Sequence, residues 1–144
     1  MYGTPLIPCE STSFGEVEDY GIYVSTPGLW KGGIAGSETD CNTAGNWDDG
    51  NVPNSSTNVT IPDNPVYNPE ASSSFICQDI EIKDGAIMSV EPGATMTVLG
   101  NLTVGQGNSG VLLIDASTCV VSGEISLQPG SAINIINSGT LQDQ

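Results

Sequence analysis

The densest group of hard oxygen donors in the chain is Asp48-Asp49-Gly50-Asn51, which with Asp40 or Asp63 nearby could hold calcium through carboxylate and amide oxygens. The segment lacks the alternating Asp/Asn ladder and the distal Glu of a helix–loop–helix calcium loop, so a polar turn ahead of a strand is the stronger reading. Glu16, Glu18 and Asp19 offer a second set of oxygens. Alternation puts Glu16 and Glu18 opposite Val17, which describes the wet side of a strand. Trp30 and Trp47 could stack on sugar rings or cover an exposed end of the fold, and covering is preferred because large rings seal such ends.

Catalytic groups are scarce. Glycoside hydrolysis needs paired carboxylates, and elimination from an acidic polysaccharide needs a base with cations to neutralise the sugar acid. The chain has no His and only two basic residues, Lys31 and Lys83. We expect no catalytic residues, and no cofactor beyond calcium at Asp48 and Asp49.

With 17 acids against two bases the formal charge is −15. Such a surface repels phosphates, which argues against nucleic acid and against any anionic polymer. Charged residues nevertheless make up only 13% of the sequence, while Gly, Ser, Thr and Asn are abundant. That is the composition of a turn-rich extracellular β protein, not of an acidic disordered tail. Thirteen of the 17 acids fall within residues 1–85, so the second half stays soluble through amides and hydroxyls.

No stretch approaches a membrane-spanning helix. "LIPC" at 6–9 echoes a lipoprotein cleavage box, but it lacks a basic start and a long apolar run, and Pro8 suits a cleavage site poorly. Cys9, Cys41, Cys77 and Cys119 are too widely separated for a metal-binding or redox pair motif. Three disulfide pairings are open. Cys41 with Cys77 is favoured because both flank one loop-rich region, and Cys119 reads as a buried thiol. Triplets of the N-glycosylation form begin at Asn54, Asn58 and Asn101, in a chain rich enough in Asn, Ser and Thr to produce several by chance.

The elements that would position these groups follow from periodicity. Residues 77–144 repeat a short unit of Gly, a small residue and alternating apolar positions: "GAIMSV", "GATMTV", "GNLTV", "GVLLI", "STCVV", "GEISL", "GSAINI". Period two means strands. At longer range "ATMTVLGNLTV" (94–104) matches "STCVVSGEISL" (117–127), an offset of 23 residues. Three short strands with tight turns make one coil of that length, so the expected fold is all-β, a right-handed parallel β-helix. An antiparallel β-sandwich would also give period-two strands, but it has no need of the long-range repeat.

The inward stack should comprise Met88, Val90, Met96, Val98, Leu102, Val104, Leu112, Ile114, Cys119, Val121, Ile125, Leu127, Ile133 and Ile135. Outward rows of Ser and Thr raise a flat-surface or ice-binding alternative, weakened by the interruptions at Val120, Glu124 and Ile136. Residues 25–76 are rich in Pro, Asn, Ser and Gly but anchored by Trp30, Trp47, Val52, Val59, Ile61 and Tyr67. They should form a loop-rich N-terminal cap with short strands.

"FGEVEDYGIYV" (14–24) is similar to the closing strand of the GEVED domain, a β-sandwich module of large secreted proteins of Bacteroidota. The following segment, with Trp30, Asn46-Trp47, Gly50, Val52-Pro53, Val59, Ile61 and Pro62, resembles the entry of parallel β-helix regions in such surface proteins. The resemblance implies a bacterial cell-surface or extracellular location. A GEVED domain has on the order of a hundred residues before its closing motif, and here only 13 precede Phe14. Residues 1–24 are therefore an orphan strand, with Phe14, Val17, Tyr20, Ile22 and Val24 as its apolar positions. Either the chain is cut from a longer one, or the strand pairs with its own solenoid, or it completes a neighbouring subunit. The expected role is a non-catalytic structural module, part of a surface filament, stalk or adhesin, whose partners are further copies or neighbouring domains. The competing class is a carbohydrate-binding or polysaccharide-processing fragment built on Trp30, Trp47 and the Asp48-Asp49 pair.

Overall fold

Alternating apolar residues bury one side of each short strand, and the chain must turn every few residues to keep that side inward. The computed structural model, which describes residues 21–144, shows how this is done. The first coil consists of β1 (Val59–Ile61), β2 (Glu70–Ala71) and β3 (Phe75–Cys77). In the second are β4 (Ile80–Ile82), β5 (Ile87–Val90) and β6 (Thr95–Val98). The third holds β7 (Leu102–Val104), β8 (Val111–Asp115) and β9 (Thr118–Val121), and the fourth β10 (Ile125–Leu127), β11 (Ala132–Ile136) and β12 (Thr140–Asp143).

Equivalent strands of successive coils stack into three four-stranded sheets, β1-β4-β7-β10, β2-β5-β8-β11 and β3-β6-β9-β12. Every pairing between these strands is parallel. The fold is a parallel β-solenoid of four coils, and the sandwich alternative is excluded. Met96 pairs with Cys119 and Val98 with Val121, the offset of 23 residues seen in the sequence.

Register carries the core. One inward column runs Met88, Leu112, Ile133 and another Val90, Ile114, Ile135. From Met88 to Val121 every residue expected to point inward is fully buried. Ile125 and Ile133 are only partly buried, while Leu127 and Ile135 are 50% and 46% exposed. They occupy inward positions of the last coil, which has no further coil against it among the described residues. Alternation fixes which way a side chain points; a neighbouring coil decides whether it is covered.

Coils begin earlier than the repeat indicates. β1, β2 and all of β3 but Cys77 lie within the stretch read as cap, and Val59 pairs with Ile80 as regularly as Ile80 does with Leu102. Pro62, Pro65 and Pro69 interrupt the first coil, removing ladder donors and shortening β2 to two residues. The corner between the first and second sheets depends on glycine. Gly130 has φ +78°, and a Cβ there would lie 1.8 Å from the Asn108 carbonyl oxygen.

Turns are also held by side chains. Asp84 Oδ1 accepts the backbone N–H groups of Gln106 (2.8 Å), Ser109 (3.1 Å) and Asn108 (3.3 Å), fastening the loop before β8. These bonds favour the charged carboxylate and hold its pKa below the ordinary value, against some desolvation. Glu91 is shifted upward by partial burial and by the nearby Glu70 and Asp115.

The two acids should affect stability with opposite signs. A depressed folded pKa adds stability above the unfolded value of about 4, and that stability is lost as pH falls through the folded pKa. Asp84→Ala should therefore destabilise at pH 7 and lose its effect in acid. Glu91→Gln should raise the melting temperature slightly at pH 7, and the gain should vanish below the unfolded carboxyl pKa. Thermal melts of both variants between pH 2 and 7 check this.

Candidate functional site

The most constructed part of the molecule is its N-terminal end. An open parallel edge leaves backbone donors and acceptors unpaired, and the chain from Gly28 to Trp47 supplies partners for them. Trp30 N–H donates to Thr60 O and Thr60 N–H to Gly28 O, at 3.0 and 2.9 Å. Cys41 N–H donates to Glu70 O and Glu70 N–H to Thr39 O, at 3.0 and 2.7 Å. The cap is a partial, irregular coil laid over the first one, with parallel bridges Leu29 to Thr60 and Asp40 to Glu70.

Inside it the two tryptophans close the core. Trp30 and Trp47 are each 1% exposed and pack edge to face, ring centres 5.1 Å apart at 74°. Trp47 also stacks on Phe75 of the first coil at 5.9 Å and 14°. Their indole N–H groups donate to Tyr67 O (2.7 Å) and Cys41 O (2.8 Å), so no polar edge is stranded. Neither ring offers a face to a sugar. The stacking platform expected as the alternative use of Trp30 and Trp47 is not formed, because both rings are consumed in sealing the end.

Asn46 organises the loops around them, a role that sequence reasoning missed. It is fully buried; its Oδ1 accepts Ile34 N–H (2.9 Å), and its Nδ2 donates to Ser37 O (2.5 Å) and Asp40 O (3.0 Å). Its backbone carbonyl also accepts from Lys31 and Gly32. The one available signal was its place before Trp47 in the quoted entry pattern. Asn46→Ala would leave these partners unpaired in a buried site and should cost about 2 kcal/mol. Asn46→Asp should cost more, since it removes both donors and buries a charge. Chemical denaturation of the two variants tests the order.

Asp48 is engaged locally. It accepts the Tyr23 hydroxyl and the Thr26 N–H (2.7 Å), and the Lys31 ammonium lies 3.7 Å away. The Tyr23 bond above all, then the Thr26 bond and the Lys31 charge, holds its pKa below normal. Asp49 closes a turn with Asn51, whose N–H donates to Oδ1 at 3.2 Å. The calcium candidates are thus tied into turn and tether contacts, and no group of three or more metal-binding side chains gathers among the described residues.

Cys41 and Cys77 are buried free thiols, as is Cys119. The expected Cys41–Cys77 disulfide is not formed. Burial, with the nearby Cys119 and Asp79 charges, pushes the Cys77 thiol up to about 12, and burial alone does the same for Cys119. Cys41 is also shifted upward, by burial first and then by Asp40, Glu70 and Cys77. Thiols so protonated behave as small apolar core residues.

Asn54, Asn58 and Asn101 are all exposed. Asn54 Oδ1 accepts Ser56 N–H within a turn (2.9 Å), and Asn101 Oδ1 accepts Glu124 N–H from the next coil (2.9 Å). The triplets at 58 and 101 share one origin. Each places Asn at a corner, an apolar residue inward (Val59, Leu102) and Thr outward (Thr60, Thr103), as Asp79-Ile80-Glu81 does between them. The coil repeat itself writes this pattern. Beside it runs a shallow groove of about 290 Å³ lined by Asn58, Thr60, Asp79, Glu81, Asn101 and Thr103.

Of the orphan strand, Phe14, Val17 and Tyr20 lie outside the described residues, as do Glu16, Glu18, Asp19 and Cys9. Ile22 and Val24 are 85% and 78% exposed, in backbone without strand pairing. On the third sheet Thr95, Thr118 and Thr140 align in register, beside a mixed column of Ile76, Thr97, Val120 and Gln142. No helix of the described residues is long and apolar enough to cross a membrane.

With this geometry in hand, comparison with known protein families, with curated proteins and with solved structures gives no match.

Proposed function

We propose that the chain is a non-catalytic extracellular structural module, a rigid solenoid that acts as a subunit or segment of a bacterial surface filament, stalk or adhesin. The observation that carries this reading is the solenoid itself, four coils stacked in register around one continuous apolar core. Trp30, Trp47 and Asn46, all buried, seal the N-terminal side of that core. The exposed Ile22 and Val24 supply an apolar contact, consistent with the resemblance of residues 14–24 to a GEVED closing strand and with strand addition to a neighbour.

Electron microscopy with mass photometry, on the intact chain and on a form lacking residues 1–24, tests the reading. Ordered assemblies from the intact chain support it, and their loss on truncation assigns the contact to the strand. Monodisperse monomers of both forms at all concentrations overturn it.

A second reading, contact with glycans, rests on the groove beside Asn58 and Thr60, not on the tryptophans. Its rows of hydroxyl, amide and carboxylate groups suit a neutral polyhydroxylated chain lying along the solenoid. Glycan-array binding abolished by Asp79→Ala in a folded protein would favour it.

A further inference from the structure

The three sides of the solenoid are not alike. Alternation gives each sheet an outer face as well as an inner one. Outward positions of the first sheet are Thr60, Glu81, Thr103 and Ser126, all polar. On the third they are mostly Thr, with Ile76 and Val120 among them. The second sheet carries Ile87, Val111, Leu113 and Ile136 on its outer face, and Ile87 and Ile136 are 39% and 42% exposed. Ile87 and Val111 are neighbours in one column, and Leu113 stands two residues along the strand from Val111. An apolar cluster rimmed by polar groups marks a contact surface.

Charge selects what covers it. Glu91 follows Val90, the partner of Ile114, and so stands opposite Asp115 at the far edge of this face. Glu70 pairs with Ser89 on the same sheet, and Asp40 bridges to Glu70 from the cap. Partial burial, then Glu70 and Asp115, shift the Glu91 carboxyl upward, so these groups feel one another. Asp115 Oδ1 accepts Asn137 Nδ2–H (2.7 Å) and Glu70 Oε2 accepts the Thr39 hydroxyl (2.9 Å), neutral donors that leave the charges uncompensated. Lys83 and Asp84 precede β5 at the opposite edge, with Asp84 bonded to the loop before β8, and Lys31 lies in the cap beside Asp48. A second copy would offer this face two lysines against 17 acids.

We infer that the outer face of the second sheet docks an extended segment of another protein that presents apolar side chains followed by Lys or Arg. Along one strand the row Val111, Leu113, Asp115 asks for an apolar residue, a second apolar residue and a cation at alternate positions. Its ends lie about 13 Å apart at the rise of a strand. The apolar pair would supply buried area, and the cation would give orientation.

An NMR titration of the isotope-labelled full chain with a blocked peptide, Leu-Ser-Leu-Ser-Lys-Ser-Lys, tests this. Amide shifts should concentrate on β5, β8 and β11. Leu113→Thr removes apolar area while keeping a residue suited to an exposed strand, and should weaken binding by about tenfold. Glu91→Gln combined with Asp115→Asn should weaken it by about the same factor and flatten its salt dependence. Val120→Thr, on the third sheet, should leave it unchanged. Circular dichroism with thermal melts verifies that each variant folds.

A peptide with Ser in place of Leu that binds as well would reduce the effect to general attraction toward a chain of charge −15, and overturns the proposal. Equal binding of a peptide with Glu in place of Lys, shifts confined to another face, or no binding overturn it too. Self-association of the parent chain that Leu113→Thr abolishes would overturn it in favour of a second copy on this face.

Discussion

Trp47→Ala is expected to destabilise the protein by about 3–5 kcal/mol, the range for truncating a large aromatic in a packed core. The ring is 1% exposed, meets Trp30 edge to face and lies flat on Phe75. Removing it opens a cavity over the first coil and strands the Cys41 carbonyl, which accepts the indole N–H at 2.8 Å. Because coils gain stability from their neighbours, loss at the cap should propagate into the first coil and not remain local. Denaturant titration followed by circular dichroism measures the loss. A variant of unchanged stability that had lost binding to a glycan would instead return Trp47 to a recognition role.

The parts legible in the sequence were those written by repetition. Alternation and the 23-residue offset identified the inward residues from Met88 to Val121, all of them buried. Apolar size and position marked Trp30 and Trp47 as covering residues. Less regular features escaped for physical reasons. The first coil was hidden because Pro62, Pro65 and Pro69 break its alternation, although its strands still pair in register with the second. Spacing suggested a Cys41–Cys77 bond, but spacing along the chain says nothing about which side chains point into an apolar core as thiols. Asn46 looked like any loop Asn, since its value lies in three partners brought to it by the turn that contains it. The candidate sugar and calcium residues were Trp30, Trp47, Asp48 and Asp49. Their rings and oxygens are used within the cap, and the more open polar surface lies on the first sheet, where corner and outward residues of successive coils align.

The solenoid also predicts that the cost of one chemical change depends on the coil in which it is made. Leu112 and Ile133 occupy successive rungs of a single column. Leu112 is covered from both sides by Met88 and Ile133, and Leu112→Ala should cost about 2–5 kcal/mol. Ile133 is covered from one side only and partly buried, so Ile133→Ala in an isolated chain should cost about 1 kcal/mol. Association changes this arithmetic. If a second copy covers the last coil, Ile133→Ala should become costlier as protein concentration rises, because stability then includes the contact it weakens. Leu112→Ala should show the same penalty at every concentration at which the association state is fixed. Urea unfolding of both variants across a hundredfold range of concentration separates the cases. Equal, concentration-independent penalties would mean that Ile133 gains no cover from a second copy.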